Sequence, residues 1–199
     1  VAGTEFSSGE IMFNGYIPAT DSAFQASCFN GQQPVSKNLL KILPGKSAHV
    51  HYVGLSDFKS YYNKMSGTFL NSGKNIRKRN VIEQVKANFK LDIEQKMLDW
   101  VGSEYALVIT EPSGVGYENN CFAVIGTKNI SGAKNALRAI SRVVDKKSGS
   151  TTMEEVYNEY SIGLVRLNNV LPALFGDMYI KVPGMYYTAV GDYIVFSNK

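Results

Sequence analysis

The sequence predicts an α+β fold in which a twisted antiparallel sheet carries helices packed mainly on one face. Segments with apolar residues at every second position, typical of strands, are interrupted irregularly by segments with apolar residues three or four apart, typical of helices. Two pairs of strand-like runs are joined by turn residues, as in antiparallel hairpins, whereas a doubly wound parallel fold needs regular alternation of strand and helix. The chain has 199 residues, 44% of them hydrophobic, and no low-complexity linker, so we expect a single domain over 1–199.

The N-terminal part of the chain is predicted to be rich in strands. Residues 10–17 read as one strand because their apolar residues share a face at a period of two and a proline follows. A hairpin turning at Asn14 and Gly15 is the alternative. The pattern further predicts a short helix over 23–29, an apolar turn over 39–43 and a strand over 48–55.

Three amphipathic helices are predicted next. The first spans 56–70, with Ser56 as its N-cap and apolar residues at steps of four, three and four. The second begins near Asn80, and the third begins at Asp92, with Gln95 three residues later as in a capping box, and is ended by Gly102. The apolar stripes are Phe58, Tyr62, Met65 and Phe69, then Val81, Val85 and Phe89, then Ile93, Met97 and Trp100.

The C-terminal half returns to strands around one long helix. Residues 105–110 and 121–126 are predicted to form a hairpin across a glycine-rich loop. A helix capped by Asn129 or Ser131 follows, with a clear apolar stripe and lysines at its C-terminal end. The remaining predictions are a polar loop over 146–152, a strand over 161–167, a short helix or turn over 170–175, and a hairpin of 185–190 with 193–197 around Gly191 and Asp192.

Charge and hydropathy exclude several classes of protein. The 21 basic and 17 acidic residues give a net charge of +4, well short of a dedicated nucleic-acid binder. No apolar run approaches the roughly 18 to 20 residues that span a bilayer. The chain begins with Val1, so we expect any targeting segment to have been removed. Cys28 and Cys121 fit no zinc pattern, and their spacing leaves open whether they form a disulfide.

Two short motifs resemble a known family. Residues 100–107 read WVGSEYAL, similar to a W-[IVL]-G-x-E-x-A-L signature, and residues 186–196 read YYTAVGDYIVF, similar to an aromatic hairpin. Both occur in this order in a family of uncharacterised bacterial envelope proteins, domain of unknown function 3352. The resemblance implies a periplasmic or cell-envelope protein, secreted or lipid-anchored as a lipoprotein, with no established activity, cofactor or catalytic residue. Members of that family are longer and extend past such a hairpin, so the resemblance also implies that this chain is a portion of a longer protein.

Two histidines are the clearest sequence feature suited to metal binding. His49 and His51 are the only histidines, and at i and i+2 of a predicted strand they point to the same face, as two imidazole ligands would. A site needs a third ligand from elsewhere, and histidines on the solvent face of a strand are commoner. We therefore expect no metal and no cofactor.

The acidic residues give little support to catalysis. Glu104, Glu111 and Glu118 are candidates for paired acid and base groups, but the sequence does not bring them together. Glu104 is expected instead to bind backbone donors, and Glu111 lies beside a turn proline. No Gly-x-Ser-x-Gly elbow is present and neither cysteine lies in a nucleophile signature, so we expect no catalytic residue.

The densest basic cluster surrounds the predicted start of the second helix. Phosphate binding would use such charges in a salt-dependent way, although a solvated helix face is the commoner reading. No aromatic residue interleaves positions 74–79, which argues against stacking on single-stranded nucleic acid. The cluster consists of Lys74, Arg77, Lys78 and Arg79, followed by Lys86 and Lys90.

The last predicted hairpin is aromatic. Tyr186, Tyr187, Tyr193 and Phe196 are candidates for a platform that contacts a glycan or a peptide, because aromatic faces stack on sugars and provide contact area. Strand alternation directs half of them into the core, so cross-strand packing is the commoner reading.

These observations favour a non-enzymatic cell-envelope or periplasmic domain with an interaction or structural role. The expected partner is another envelope protein, a peptide or a glycan, and nucleic acid is disfavoured. Two alternatives remain open: a hydrolase that uses carboxylate or histidine-metal chemistry, and an anion or nucleic-acid binder that uses residues 74–90.

Overall fold

The predicted α+β class is confirmed by a seven-stranded antiparallel sheet with helices on one face. The computed structural model describes residues 2–7, 10–15, 25–69, 74–112 and 120–199. Its strands are β1 (Ala2–Ser7), β2 (Glu10–Gly15), β3 (Ser47–Gly54), β4 (Val101–Thr110), β5 (Cys121–Thr127), β6 (Glu154–Tyr157), β7 (Tyr160–Leu164), β8 (Tyr186–Val190) and β9 (Tyr193–Ser197). The strand order is β3-β4-β5-β9-β8-β7-β6, and β1 and β2 form a separate two-stranded sheet.

Five α-helices occur in the described residues. They are α1 (Phe58–Phe69), α2 (Lys74–Phe89), α3 (Ile93–Leu98), α4 (Ile130–Ser148) and α5 (Val170–Phe175). Short 3-10 turns cover Gln25–Phe29, Leu39–Ile42 and Asp177–Tyr179. Within the described ranges, none of the helices has both the length and the apolar character that crossing a membrane requires.

Strand alternation gives the large sheet two different faces. One face carries Tyr105, Leu107, Ile125 and Phe196, and all five helices pack against it in the main core. We call the other the open face. Over β3, β4 and β5 it is covered by the 3-10 turn Leu39–Ile42, which places Leu39 against smaller apolar residues of the sheet. The two faces therefore carry two separate clusters of buried side chains.

The predicted strand over 10–17 is confirmed in part, and the hairpin that was its alternative is not found. The strand prediction over 10–17 is confirmed for Glu10–Gly15, and residues 16–24 lie outside the described residues. The alternative hairpin at Asn14 and Gly15 is wrong, because Gly15 pairs with Ala2 at the end of the β1–β2 ladder. At the other end of this ladder Ser7 pairs with Glu10.

Several helix ends differ from the predicted ones. Asp57, not Ser56, caps α1, and its carboxylate accepts a hydrogen bond from the Ser60 amide at 2.9 Å. The second helix begins at Lys74 rather than near Asn80, because the intervening lysines and arginines favour helix without an apolar stripe to reveal it. The capping prediction at Asp92 is confirmed, since its carboxylate accepts a hydrogen bond from the Gln95 amide.

Strand β4 and helix α4 are both longer than predicted. The third helix ends at Leu98 rather than at Gly102, because β4 already begins at Val101. Asn129 caps α4 by accepting hydrogen bonds from two amides, and the helix runs through part of the predicted loop 146–152 to Gly149, whose φ of +68° ends it.

The last strands are confirmed with small shifts in their ends. The predicted strand over 161–167 is β7, Tyr160–Leu164, and the final hairpin turns at Gly191, where φ is +56°. Strand β6 was not predicted, because its four residues are all exposed and two are glutamates. Next to it, the Tyr187 ring lies so close to Gly163 that a Cβ there would be 2.5 Å from the ring carbon Cζ.

Candidate functional site

A groove of about 850 Å³ lies on the helical side of the molecule, between α1, α2 and α3, and we call it the helical groove. Lys128, just before α4, also lines it. It is lined by Phe58, Lys59, Tyr62, Asn63, Ser66, Lys78, Arg79, Ile82, Glu83, Lys86, Glu94, Gln95, Leu98, Asp99 and Lys128.

Each of the three helices that flank the helical groove also packs on another part of the core. Helix α1 directs its stripe of Phe58, Tyr62 and Met65 into the main core, α2 packs against α5, and α3 packs against α4. The buried and half-buried side chains that line the groove form its floor, and the exposed polar side chains form its rim.

An ion pair lies at the floor of the groove. The Lys78 ammonium donates a hydrogen bond to Ser66 Oγ at 2.8 Å, lies 3.3 Å from Glu94 Oε1, and sits 4.1 Å above the centre of the Tyr62 ring. The Tyr62 hydroxyl donates a hydrogen bond to the same Glu94 oxygen. Burial lowers the pKa of Lys78, which the Glu94 carboxylate partly opposes, and burial together with the bond to Glu94 raises the pKa of Tyr62.

The rim of the groove is cationic. Lys59, Arg79, Lys86 and Lys128 are all exposed, and only Glu83 and Asp99 oppose them at the rim. Lysine and arginine stems lie along apolar surface while their charged ends stay in water. The four cations come from three separate parts of the chain, so their field converges on one concave surface.

A second buried polar site lies on the open face. The Glu104 side chain is 6% exposed and accepts three hydrogen bonds, from the Leu39 amide at 3.2 Å and from the hydroxyls of Tyr52 and Tyr193 at 3.0 and 2.8 Å. Burial, followed by the bond to Glu104, raises the pKa of Tyr52 to about 12, and the same causes raise the pKa of Tyr193. We call this set the Glu104 hub.

The two other glutamates considered for catalysis are not part of the hub. Glu111 follows β4 and its amide donates a hydrogen bond to the Lys46 carbonyl. Glu118 lies outside the described residues. The prediction that Glu104 binds a backbone donor is confirmed by its contact with the Leu39 amide. Its two tyrosine partners were not foreseen, because they come from distant strands.

The two histidines lie on the same face of β3, as predicted, and β3 is an edge strand of the large sheet. His49 and His51 alternate with Val50 along β3, opposite Ile109 and Leu107, and both are exposed. Among the residues that the structure describes, no group of three His, Cys, Asp or Glu side chains is close enough together to hold a metal ion.

The predicted aromatic platform is divided between the two faces. Tyr187 and Phe196 face the main core, with ring centres 6.4 Å apart, so Tyr187 does not share a surface with Tyr186. Tyr193 lies on the open face but is buried, and its hydroxyl belongs to the Glu104 hub. Of these four aromatic residues, only Tyr186 is partly exposed on the open face.

The predicted basic cluster contributes three residues to the helical groove. Lys78, Arg79 and Lys86 line it, whereas Lys90 does not. The side chains of Lys74 and Arg77 lie outside the described part of α2. Sequence reasoning missed the remaining lining residues, chiefly Lys59, Ile82, Glu94, Leu98 and Lys128.

A helical signal for part of this site is present in the sequence. Arg79, Ile82, Glu83 and Lys86 stand at i, i+3, i+4 and i+7, which places them on one side of a helix that begins at Lys74. The predicted start near Asn80 cut this stripe at its first member. Lys59 and Lys128 carry no such signal, because they come from other elements.

The cysteines are both buried and belong to different elements of the fold. Cys28 is in the 3-10 turn Gln25–Phe29, and Cys121 opens β5; they are not joined to each other by a disulfide.

Comparison with known proteins found no match, so the α+β architecture and the helical groove are the basis for the function proposed below. No family model matches the chain, no curated protein matches it, and no solved structure matches it.

Proposed function

We propose that this chain is a non-enzymatic ligand-binding domain of the bacterial cell envelope, and that its helical groove binds an anionic ligand. The observation that carries the proposal is the convergence of Lys59, Arg79, Lys86 and Lys128 on one concave rim. Concave sites with a few convergent polar groups are the usual binding sites of small ligands. Cations that come from three parts of the chain raise the local potential and attract an anion from solution.

The titratable groups at the floor support binding rather than chemistry. Glu94 is occupied by the Lys78 ammonium and the Tyr62 hydroxyl, and these contacts hold α1, α2 and α3 together around the groove. On the other side of the sheet, Glu104 is occupied by three donors that fasten β3, β9 and the Leu39 turn. Both carboxylates thus have a structural use.

The envelope location rests on the resemblance of residues 100–107 and 186–196 to the envelope family. In the fold these segments are the start of β4 with the turn before it, and the β8–β9 hairpin. Mass spectrometry of the protein from fractionated source cells tests this part of the proposal. A processed or acylated N-terminus in the envelope fraction is expected, and an intact initiator methionine in the cytosol would contradict it.

Binding of tripolyphosphate tests the anion site itself. We expect its affinity, measured by calorimetry, to fall by about tenfold between 50 and 200 mM salt, because several phosphate contacts are screened together. The double variant Arg79→Gln/Lys86→Gln is expected to weaken binding about tenfold or more. Its matched control is Lys90→Gln/Lys96→Gln, which removes the same charge outside the groove, from the α2–α3 junction and from α3.

Two outcomes would contradict the proposed site. Equal losses in the test and control variants would show that tripolyphosphate responds to net charge alone. Much tighter binding of single-stranded DNA than of tripolyphosphate, lost equally in both variants, would favour the nucleic-acid alternative through a surface wider than the groove.

A further inference from the structure

The floor and the rim of the helical groove differ in chemistry. The floor is formed by the side of Tyr62, by Phe58, and by the half-buried Ile82 and Leu98. The rim carries the four exposed cations already described. A ligand that consists only of an anion would satisfy the rim and leave the half-buried Ile82 and Leu98 in contact with water.

The single cation at the floor is already neutralised. Lys78 is held by Glu94 at 3.3 Å, by Ser66 at 2.8 Å and by the Tyr62 ring, and its side chain is 18% exposed. Displacing Glu94 from Lys78 would leave a carboxylate without its counter-ion in a partly desolvated site, which is costly. The inner part of the groove therefore suits an apolar group, and the charge of a ligand belongs at the rim.

The size of the groove agrees with this division. A volume of about 850 Å³ falls within the roughly 300 to 1,000 Å³ of pockets that hold whole small molecules. A phosphate or carboxylate ion by itself fills only a small part of such a volume.

We propose that the ligand of the helical groove is an anionic amphiphile, bound as a single molecule. Its phosphate, sulfate or carboxylate head contacts the rim at Arg79, Lys86 and Lys128, and its apolar body lies on Ile82 and Leu98. This inference rests on the proposed anion-binding function and specifies its ligand class.

A chain-length series tests the inference on the unmodified protein. Butyl, hexyl, octyl and decyl phosphate are titrated at concentrations where each is monomeric, together with inorganic phosphate and neutral decyl maltoside. We expect affinity to rise about threefold for each added methylene, because each one leaves water for the floor. We also expect decyl maltoside to bind at least about tenfold more weakly than decyl phosphate, because it lacks the charge that the rim attracts.

Two variants separate the head from the body of the ligand. Ile82→Ser is expected to flatten the chain-length dependence with little effect on inorganic phosphate, whereas Lys86→Gln is expected to weaken all the alkyl phosphates by a similar factor. The control Lys96→Gln should change neither. Because the chain-length series uses the wild-type protein, it decides the question even if the Ile82 variant is unstable.

Several results would overturn the inference. If inorganic phosphate binds as tightly as decyl phosphate, the groove is a site for anions alone, and the proposed function survives without its amphiphile. If decyl maltoside binds as tightly as decyl phosphate, the rim has no role. If no phosphate, alkylated or not, binds at all, the proposed function fails as well. Tight sedimentation with anionic phospholipid vesicles and no binding of monomeric alkyl phosphates would indicate a membrane surface instead of a single ligand.

Discussion

The Glu104 hub joins three distant chain segments, so removing one of its hydrogen bonds has a calculable cost. In Tyr193→Phe the aromatic ring stays in place, but the 2.8 Å bond from its hydroxyl to Glu104 Oε2 is lost. Hydrogen bonds to charged groups contribute about 1.5–3 kcal/mol, and here the acceptor is buried. We expect the variant to lose roughly 2 kcal/mol of unfolding free energy.

Urea unfolding provides the measurement. Trp100 is the only tryptophan and is 4% exposed, so its fluorescence reports the loss of the core. Tyr186→Phe is the matched control, because it removes a tyrosine hydroxyl from the same open face, on β8 opposite Ser197 and outside the hub, and is expected to change stability by less than about 0.5 kcal/mol.

The reasoning also predicts coupling between the two tyrosines. Tyr52 and Tyr193 donate to the two oxygens of one carboxylate, so their Phe variants should be non-additive in a double-mutant cycle by at least about 0.5 kcal/mol. If Tyr193→Phe costs no more than Tyr186→Phe and the cycle shows no coupling, Glu104 does not act as a structural hub.

Three further predictions, two substitutions and one pH dependence, follow from individual residues and their contacts. Asn129→Ala removes both side-chain bonds that cap α4 and is expected to cost about 1 kcal/mol in urea unfolding, whereas Asn135→Ala, at an exposed position within α4, should not destabilise the fold. Gly163→Ala places a methyl group against the Tyr187 ring and is expected to lower the melting temperature, through a cost of about 1–3 kcal/mol; an unchanged melting temperature would show that the ring moves freely. The raised pKa of Tyr52, about 12, means that the folded chain keeps a proton that the unfolded chain releases near pH 10, so stability is expected to fall as the pH rises from about 10 to 12; a flat profile in this range would contradict the hub contacts.

Much of the fold was predictable because hydrophobic periodicity reflects local geometry. The stripe at Ala133, Leu137, Ile140 and Val144 predicted α4, and each of these residues is buried in the core. The final hairpin followed from a two-residue turn at which glycine adopts a positive φ without strain. Such signals depend on neighbours within a few residues.

Other elements carry no local signal. Strand β6 is four exposed residues that acquire strand geometry only by pairing with β7, and the start of α2 consists of charged residues that are helical without an apolar stripe. Both elements were missed for the same reason. A periodic pattern arises in a sequence only where one side of an element is buried, and neither of these segments has a regularly spaced row of apolar residues.

The candidate site was predictable only in part. The basic cluster pointed to Lys78, Arg79 and Lys86, but Lys59 and Lys128 reach the same rim from other elements. The neutralisation of Lys78 by Glu94 joins residues sixteen positions apart, on different helices. Long-range packing sets these relations, so the sequence indicated a cationic surface without indicating a groove.

The central claim is that an anion binds in the helical groove, and its location is what most needs measuring. Amide chemical-shift changes recorded by NMR during titration with octyl phosphate would locate the bound ligand directly. The account predicts the largest changes in residues 59–66, 78–86 and 94–99 and at Lys128, with little change along β6 to β9. Saturable changes centred on the open face around Tyr186, with the three helices unaffected, would contradict it.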